Sequence, residues 1–526
     1  MTNPLYDTLL GARAQSAAPL LYLPDGTILS YSDMATRVLQ LSGYLRAMGL
    51  EKGDRLALQC PKSPQALALY LACLHSGVIL LPLNTGYTPD EIAYFVQDAT
   101  PKILVTDPSS ALALRKVAKN AGATLLTLGA DEQGSLTDAA GSAQPAPEPV
   151  ACSEQDLACF LYTSGTTGRS KGAMLTQGNL LSNALELTQT WEFTADDVLL
   201  HALPIFHAHG LFVACNVMMN AGGAMIWLPK FSVDPVLAAL ARATTMMGVP
   251  TFYTRLLDDP RFTRDLAGHM RLFTSGSAPL LAETHNQFSA RTGQAILERY
   301  GMTETGMNTS NPYHGERRAG TVGFPLKGVK LRVIGQDRQA VRQGETGMIE
   351  VCGPNVFKGY WQMPEKTAEE LRTDGFFITG DLGQIDADGY VTIVGREKDL
   401  IISGGYNVYP KEVEQLLDDQ PDIKESAVIG VPHSDFGEAV VAVLVTEGRV
   451  PPDLEAIKDV VKAKLANYKQ PKHYIVLSAL PRNTMGKVQK KALRTDYGDL
   501  FKTLVRSMNC AAKSSSADSA SGGPTI

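Results

Sequence analysis

Short apolar runs alternate with amphipathic helical patterns along most of the chain, beginning near Leu20. The segment RLALQC at 55–60 is followed by SPQALALYLACLHSG at 63–77 and then by VILLPL at 78–83. This order of strand, helix and strand is typical of parallel strands joined by crossover helices. The expected fold class is therefore α/β, with βαβ sheets whose strands are mainly parallel.

The 526 residues exceed what one hydrophobic core organises, since single cores stop growing at about 250–300 residues. A seam is predicted near Gly395, after the strand-like run GYVTIVG and before a compact α+β unit with a helix that starts at Pro410. The expected organisation is an N-terminal domain over 1–395, a smaller mobile C-terminal domain over 396–505, and a disordered Ser/Ala/Gly-rich tail over 506–526.

Composition excludes several classes of protein. The formal net charge of −6 argues against a nucleic-acid partner, because neutralising phosphates needs clustered Lys and Arg. The seven cysteines form no CxxC pair and no His/Cys cluster with zinc spacing, so free thiols are expected. No secretory signal opens the sequence, and no apolar stretch approaches the roughly 18 residues that span a bilayer. A cytoplasmic location without a membrane span is therefore predicted, and an organelle address stays open from the sequence.

The strongest local motif is TSGTTGRSKG at 163–172, directly after the apolar run ACFLY. Its glycines let the backbone approach a polyphosphate, and its N–H groups and hydroxyls donate hydrogen bonds while a lysine adds positive charge. It is not a GxxxxGK[ST] loop, because its glycines are spaced differently. The predicted phosphate contacts are Thr163, Ser164, Gly165, Thr166, Thr167, Gly168 and Lys171.

TSGTTGRSKG resembles the signature loop of the adenylate-forming superfamily, which includes acyl-CoA synthetases, luciferases and the adenylation domains of peptide synthetases. The later motifs of that superfamily follow in the same order, namely PIFHAHG (204–210), TSGSAPL (274–280), ERYGMTET (298–305), TGD (379–381), GREKDLIISGGYNVYPKEVE (395–414) and PRNTMGKVQKKALR (481–494). The resemblance extends from about residue 27 to residue 494. It implies an enzyme that uses ATP to activate a carboxylic acid as an acyl-adenylate and then passes the acyl group to coenzyme A.

The motif ERYGMTET supplies groups suited to a nucleotide and its metal. Tyr300 offers an aromatic face for a purine, and Thr303 and Glu304 offer the hard oxygen atoms that Mg²⁺ prefers. The resemblance implies that Tyr300 lies at adenine and that Glu304, with Thr167, holds Mg²⁺. Its remaining implied ATP contacts are Ser277, Gly301 and Thr303.

Three further residues complete the site that the resemblance implies. Asp381 follows a glycine at the end of the strand-like run FFIT, where a carboxylate can accept both ribose hydroxyls, and Arg396 is the implied second ribose contact. Lys487 matches the family lysine that reaches the reacting carboxylate and α-phosphate, where negative charge develops during adenylation. The implied catalytic residues are Lys487, Thr303 and Glu304.

The two half-reactions need two arrangements of the domains. Lys398 occupies the family's hinge position, where an adaptable backbone permits the exchange. One arrangement presents the catalytic lysine, and the other presents the coenzyme A face, for which the resemblance implies Gly404, Gly405 and Tyr406.

The acid is predicted from charge in the acyl pocket. Arg299 precedes Tyr300, and Arg255 lies in VPTFYTR, on two segments that the superfamily places against the acid. Two guanidiniums in one pocket are costly unless the substrate brings an anion, which favours a dicarboxylate such as malonate. PIFHAHGLFVA and ERYGMTETGMNTSNPY also resemble the malonyl-CoA synthetases within the superfamily. His207 matches the gate between the acyl and coenzyme A channels, and Ser277 and Met302 complete the predicted substrate contacts.

Other functions remain open from the sequence. A ligase for methylmalonate or for a short or medium-chain monocarboxylate is the alternative within the enzyme class. A nucleotide-binding protein without turnover is disfavoured by the intact Lys487, Glu304 and phosphate loop. A peptide-synthetase loading module is disfavoured because no carrier segment follows Arg494. Oligomeric state is not predicted.

Overall fold

A computed structural model describes residues 2–163, 170–404, 406–433, 436–446, 452–483 and 486–501. It divides into two compact units. Unit 1 contains Met1–Gly344, Ile349–Thr379 and Ile385–Thr392, and unit 2 contains Glu345–Met348, Gly380–Gln384 and Ile393–Ile526. The domain boundary at 395/396 stays a prediction, and the tail at 506–526 lies outside the described residues.

The described strands, in chain order, are β1 (Pro19–Tyr22), β2 (Ile28–Ser30), β3 (Arg55–Gln59), β4 (Ile79–Pro82), β5 (Ile103–Thr106), β6 (Thr124–Thr127), β7 (Leu157–Thr163), β8 (Lys171–Thr176), β9 (Val198–His201), β10 (Ala224–Trp227), β11 (Thr245–Gly248), β12 (Leu272–Ser275), β13 (Leu297–Met302), β14 (Gly306–Ser310), β15 (Phe324–Pro325), β16 (Lys330–Ile334), β17 (Gly347–Cys352), β18 (Phe377–Ile385), β19 (Val391–Arg396), β20 (Ile401–Ser403), β21 (Tyr406–Val408), β22 (Ile423–His433), β23 (Gly437–Thr446) and β24 (His473–Leu477).

The described α-helices are α1 (Pro4–Leu9), α2 (Tyr31–Ala47), α3 (Pro64–Ser76), α4 (Pro89–Ala99), α5 (Ala111–Asn120), α6 (Ser135–Gly141), α7 (Gln177–Thr190), α8 (Asn216–Ala221), α9 (Val233–Leu240), α10 (Pro250–Leu257), α11 (Arg264–Ala267), α12 (Ala282–Thr292), α13 (Pro364–Glu370), α14 (Pro410–Asp418), α15 (Leu454–Lys464) and α16 (Lys490–Asp496). Short 3₁₀ turns span Gly11–Arg13, Pro108–Ser110, Glu397–Asp399 and Asn467–Lys469, and a π-helix spans His209–Cys215. None of the described helices has the length and apolar character needed to cross a membrane.

Two sheets of mainly parallel strands form unit 1, in agreement with the predicted α/β class. The first sheet has the described strand order β6-β5-β3-β4-β7-β8, and only β8 is antiparallel to its neighbour. The other has the order β15-β14-β13-β12-β11-β9-β10-β1-β2, with antiparallel pairs at both edges. A further sheet has the order β16-β17-β18-β19.

Local signals explain the first predicted βαβ unit. Helix α3 begins where the Ser63 side chain accepts the Ala66 N–H and Pro64 occupies the first turn. It ends at Gly77, whose φ of 67° is a left-handed conformation that glycine adopts readily. Every residue of α3 is buried, and the helix packs against α2 and β4, so the alternation in the sequence corresponds to layers of the fold.

Unit 2 contains an α+β core. Strands β21, β20, β23 and β22 are antiparallel neighbours, and β24 adds to β23 in parallel. Helices α14 and α15 pack on one face, through residues that include Val413 and Ile457, and α16 packs on the other through Leu493. The predicted helix start at Pro410 is confirmed.

Candidate active site

The parallel strands β9, β11, β12 and β13 end at one edge of the large sheet of unit 1. Gly248 at the end of β11 is in register with Ser275 at the end of β12, and Ser275 is in register with Glu298 of β13. Ligands of open α/β sheets bind outside the carboxyl ends of the strands. This edge carries the segments PIFHAHG, TSGSAPL and ERYGMTET, so the structure brings those three motifs together.

Arg299 is a buried cation at this edge. It lies in β13 and is only 4% exposed, and its Nε and Nη2 atoms have no hydrogen-bond partner among the described residues. A side chain at Gly276 would collide with its guanidinium, so the absence of a Cβ there makes room for it. Burial lowers the pKa of Arg299 to about 10, which still leaves it charged at neutral pH. A buried charge without a partner is costly, and an anionic ligand would relieve that cost.

His209 lies beside this cation. It is buried at the start of the π-helix, its Nδ1 is 3.2 Å from the Ser277 hydroxyl, and its Nε2 has no partner among the described residues. Burial, and then the positive charge of Arg299, hold the pKa of His209 well below its ordinary value. A neutral imidazole that accepts the Ser277 hydroxyl at Nδ1 carries its proton on Nε2, so it presents a free donor. Sequence reasoning missed His209, because an isolated His-x-His pattern has no distinctive spacing.

The other predicted acyl contacts differ in burial. His207 is partly buried, and its Nδ1 accepts the backbone N–H of His209 at 3.3 Å. Met302 is the partly buried last residue of β13. Arg255, on α10, is exposed, whereas Arg299 is buried. The expectation that both guanidiniums share one enclosed pocket is therefore not supported for Arg255.

A second polar cluster surrounds Glu304, which is buried just beyond β13. The Thr163 hydroxyl lies 3.3 Å from Glu304 Oε1, and the Tyr360 hydroxyl lies 3.1 Å from the same atom. The Tyr360 hydroxyl is also 2.6 Å from Glu370 Oε2. Lys171 Nζ donates to Glu370 Oε1 at 3.0 Å and lies 4.0 Å above the ring of Tyr360. Tyr360 and Glu370 carried no recognisable sequence signal and were missed.

This cluster gathers more negative charge than one hydroxyl can satisfy. The Tyr360 hydroxyl has a single proton, so it can donate to Glu304 or to Glu370 but not to both. Its contact with the other carboxylate then joins two acceptor oxygens. A cation beside Glu304 would relieve that contact. Mg²⁺ is usually held by one or two carboxylates together with substrate phosphates and water, so Glu304 fits the implied metal. The described residues contain no group of three or more His, Cys, Asp or Glu that would hold a metal by protein ligands alone.

Four of the predicted nucleotide contacts lie on β7, β8 and β13. β7 ends at Thr163 and β8 begins at the buried Lys171, while Ser164, Gly165, Thr166, Thr167 and Gly168 lie outside the described residues. Tyr300 and Gly301 flank an irregularity in the β13–β14 pairing. A Cβ at Gly301 would collide with the Gly306 carbonyl, which explains the glycine. Thr303 lies in the turn that follows.

Unit 2 contains the predicted ribose contacts and the predicted catalytic lysine. Asp381 lies within β18, which continues to Ile385, so the prediction that the strand ends at Thr379, before Asp381, is wrong. Arg396 Nε pairs with Asp381 Oδ1 at 2.6 Å. The Lys487 N–H donates to Asn483 Oδ1 at 2.9 Å. Although Lys487 as a whole residue is exposed, desolvation of its ammonium lowers its pKa, and the charge of Arg396 lowers it further.

The predicted hinge and coenzyme A residues also belong to unit 2. Lys398 is exposed and lies in the turn Glu397–Asp399. Gly404 has a φ of 58°, and Gly405 lies outside the described residues. Tyr406 is 60% exposed and stacks on Tyr468 with ring centroids 4.8 Å apart.

Unit 1 thus contains a buried guanidinium on β13 and, just beyond that strand, a cluster of carboxylates with Lys171. The chain matches the AMP-binding enzyme family over residues 11–361 and the AMP-binding enzyme C-terminal domain over residues 412–487. It therefore belongs to the AMP-binding enzyme family, and it is an AMP-forming acyl-CoA synthetase.

Individual relatives cover nearly the whole chain. A feruloyl-CoA synthase from Amycolatopsis sp is 37% identical over 90% of this chain and 95% of its own. A malonate–CoA ligase from Arabidopsis thaliana is 32% identical over 89% of this chain and 85% of its own. The crystal structure of ATP-bound MatB from Rhodopseudomonas palustris is 55% identical, with a TM-score of 0.93 over 95% of this chain and 100% of that chain.

Replacing Glu370 with glutamine tests the cluster around Glu304. Lys171 is then left buried without its anion, so the free energy of unfolding should fall by about 1–3 kcal/mol without nucleotide. If Lys171 binds phosphate, ATP should raise the melting temperature more in the variant than in wild type, because the phosphate supplies the missing negative charge. Thermal unfolding with and without ATP measures both effects.

The matched control is Glu369→Gln, since Glu369 is the exposed neighbour and pairs only with Lys366 among the described residues. It should change neither quantity. An ATP-induced shift in Glu370→Gln no larger than that of wild type would contradict the phosphate role of Lys171.

Proposed function

We propose that this enzyme converts malonate and coenzyme A to malonyl-CoA through malonyl-AMP, using Mg²⁺ and ATP and releasing AMP and pyrophosphate. The observation that carries this proposal is the buried Arg299, whose Nε and Nη2 atoms have no partner among the described residues. One carboxylate of malonate would react, and the other would pair with this guanidinium.

The pocket chemistry argues for an anionic end on the acid. The unpartnered Nε2 of His209 and two guanidinium nitrogens of Arg299 together offer donors to a carboxylate, which binds planar guanidinium well. An apolar acyl tail would leave all of them desolvated and unpaired. Overall identity does not choose the acid, because the feruloyl-CoA synthase is more similar in sequence than the malonate–CoA ligase. The pocket charge, together with the malonate–CoA ligases among the relatives, favours malonate.

In the proposed first half-reaction, the malonate carboxylate attacks the α-phosphate of ATP. Glu304, with Thr167, would hold Mg²⁺, which neutralises phosphate charge. Asp381 and Arg396 would bind the ribose, and Tyr300 would lie against adenine. The ammonium of Lys487 would stabilise the negative charge that develops between carboxylate and phosphate.

In the proposed second half-reaction, the coenzyme A thiol displaces AMP from the acyl carbon. The face formed by Gly404, Gly405 and Tyr406 would bind coenzyme A, and His207 would separate the acyl and thiol channels. Lys398 would act as the hinge between the two arrangements. It lies shortly after the last point at which the chain enters unit 2, between Thr392 and Ile393.

Pyrophosphate release with a panel of acids tests the substrate. Malonate, methylmalonate, acetate, butyrate, octanoate and ferulate should be compared at equal enzyme and ATP. We expect the highest kcat/KM with malonate. The kcat/KM for methylmalonate should be lower by no more than roughly 10–200-fold, which is the usual effect of one extra carbon in a pocket. Octanoate or ferulate above malonate would reject the dicarboxylate assignment while leaving the ligase class intact.

Replacing Lys398 with proline should separate the half-reactions. Proline fixes φ near −65° and restricts the residue before it, so the proposed hinge loses one of its two backbone states. Malonyl-AMP formation should survive, and thioester formation should fall by about tenfold or more. Single-turnover assays of each step measure this split. The control is Lys398→Ala, which removes the side chain without fixing φ and should leave both half-reactions nearly unchanged. Unchanged turnover of Lys398→Pro would remove Lys398 as the hinge.

A further inference from the structure

Lys62 follows β3, and its ammonium end lies inside unit 1, although the residue as a whole is only partly buried. Its Nζ is 2.6 Å from His201 Nδ1, 2.8 Å from the His201 carbonyl oxygen and 2.7 Å from the Leu228 carbonyl oxygen. It also lies 4.2 Å above the ring of Trp227. Burial lowers the pKa of Lys62 well below its ordinary value, but only the ammonium form has the three donors that these three acceptors require. Among the described residues no carboxylate pairs with it.

This arrangement selects the tautomer of His201. Burial holds the pKa of His201 well below its ordinary value, so the ring is neutral. A neutral ring that accepts the Lys62 ammonium at Nδ1 must carry its proton on Nε2. That Nε2 lies 2.8 Å from the Gly210 carbonyl oxygen, which is the correct partner for a donor.

Gly210 belongs to the segment that carries both candidate acyl-site histidines. It is the second residue of the π-helix, directly after His209, and a Cβ at this position would collide with the Pro204 carbonyl. The Cys215 thiol also donates to the Gly210 carbonyl, at 3.1 Å. π-helical turns often occur at functional sites, where they depart from regular backbone pairing. The Gly210 carbonyl is thus held by side-chain donors at the point where the segment approaches Ser277.

A purely structural role would not require a cation at position 62. Enclosing an ammonium among neutral acceptors costs desolvation, and apolar residues of similar size often replace buried charges without loss of stability. What the ammonium adds is a fixed tautomer and orientation of His201, in the way that outer partners orient functional histidines elsewhere.

We propose that Lys62 is a positioning residue for the acid substrate, because through His201 it holds the Gly210 carbonyl and so keeps His209 beside Ser277 and Arg299. The inference rests on the proposed function only in that the acid occupies the space next to Arg299. It assigns Lys62 to acid affinity and leaves ATP binding to other residues.

The test compares Michaelis constants for the acid and for ATP in pyrophosphate release. Lys62→Met keeps the length of the side chain and removes the charge, and we expect the KM for malonate to rise by about tenfold or more while the KM for ATP stays within about threefold. Lys52→Met is the matched control, since Lys52 pairs with Asp156 at the surface of the same unit and should leave both constants unchanged. Parallel rises in both constants, or a fall in kcat with the malonate KM unchanged, would overturn the assignment.

Two variants of His201 keep the proposal testable if Lys62→Met fails to fold. Glutamine extends an amide N–H towards the Nε2 position and retains a donor to Gly210, whereas asparagine is shorter and does not reach it. We expect the malonate KM to rise more in His201→Asn than in His201→Gln, and equal or reversed effects would overturn the inference.

The outcome for Lys62 is separable from that of the proposed function. If wild type releases pyrophosphate with an acid other than malonate, the malonate assignment fails. The same comparison of KM values is then made with that acid, and it decides the role of Lys62 by the same criteria.

Discussion

Replacing Lys487 with alanine should reduce malonyl-AMP formation by at least about 100-fold, because one positioned donor to a developing negative charge is worth about 10²–10³ in rate. Thioester formation from pre-made malonyl-AMP should be largely spared, because the proposed second arrangement presents the coenzyme A face, and not Lys487, to the acyl-adenylate. The Lys487 N–H donates to Asn483 Oδ1, and this contact does not involve the ammonium. The variant should therefore fold normally.

ATP–pyrophosphate exchange measures the first step, and thioester formation from synthetic malonyl-AMP measures the second. Lys491→Ala is the matched control, because Lys491 is an exposed lysine on α16 of the same unit. It should leave both steps unchanged. Equal losses in both steps of Lys487→Ala would point to misfolding or to a different role for this lysine.

The pH dependence of adenylation gives a further readout of Lys487. Desolvation, and then the charge of Arg396, lower the pKa of Lys487, and the ammonium is lost as pH rises through that pKa. The activity of the first step should accordingly begin to fall at a lower pH than it would for an ordinary exposed lysine.

Replacing Arg299 with leucine should lower kcat/KM for malonate by roughly two to three and a half decades. Removing one partner of a desolvated, charged pair typically costs about 3–5 kcal/mol, and each 1.4 kcal/mol is about tenfold. ATP binding should change far less, because Arg299 is proposed to contact the acid, whereas the neighbouring Tyr300 is proposed to contact adenine. Butyrate should become a relatively better substrate, since no buried positive charge then requires an anion.

Pyrophosphate release with malonate and butyrate, measured for both proteins, tests this prediction. Arg242→Leu is the control, because Arg242 is an exposed arginine of the same unit. Arg255→Leu tests the remaining sequence expectation, and its exposure predicts a small effect. A malonate-to-butyrate ratio within about threefold of wild type in Arg299→Leu would make Arg299 structural, and the dicarboxylate assignment would then lose its main support.

Local patterns in the sequence determined the class of fold and the order of its motifs. The start and end of α3 follow from Ser63, Pro64 and Gly77, and capping and left-handed glycine are effects of neighbouring residues. The same holds for α14, which begins at Pro410. The motifs are likewise contiguous, so their spacing was readable without knowledge of the strand order.

Burial separated residues that looked alike in the sequence. Arg299 and Arg255 were both expected in the acyl pocket, yet one is enclosed in β13 and the other is exposed on α10. Asp381 was expected after a strand and lies inside one. The solvent exposure of each arginine depends on which elements pack over it, and that packing is not encoded within a few residues of the position.

Contacts between distant positions were decided only by the tertiary structure. Lys62 meets His201 across 139 positions, and Lys171 meets Glu370 across 199. Lys62 follows β3 of one sheet, and His201 ends β9 of the other. Lys171 begins β8, and Glu370 ends α13. Each contact therefore joins elements that only the packing of the fold brings together. A single sequence contains no periodicity that links such residues, so the roles inferred for Lys62, His209 and Glu370 required the arrangement of strands in space.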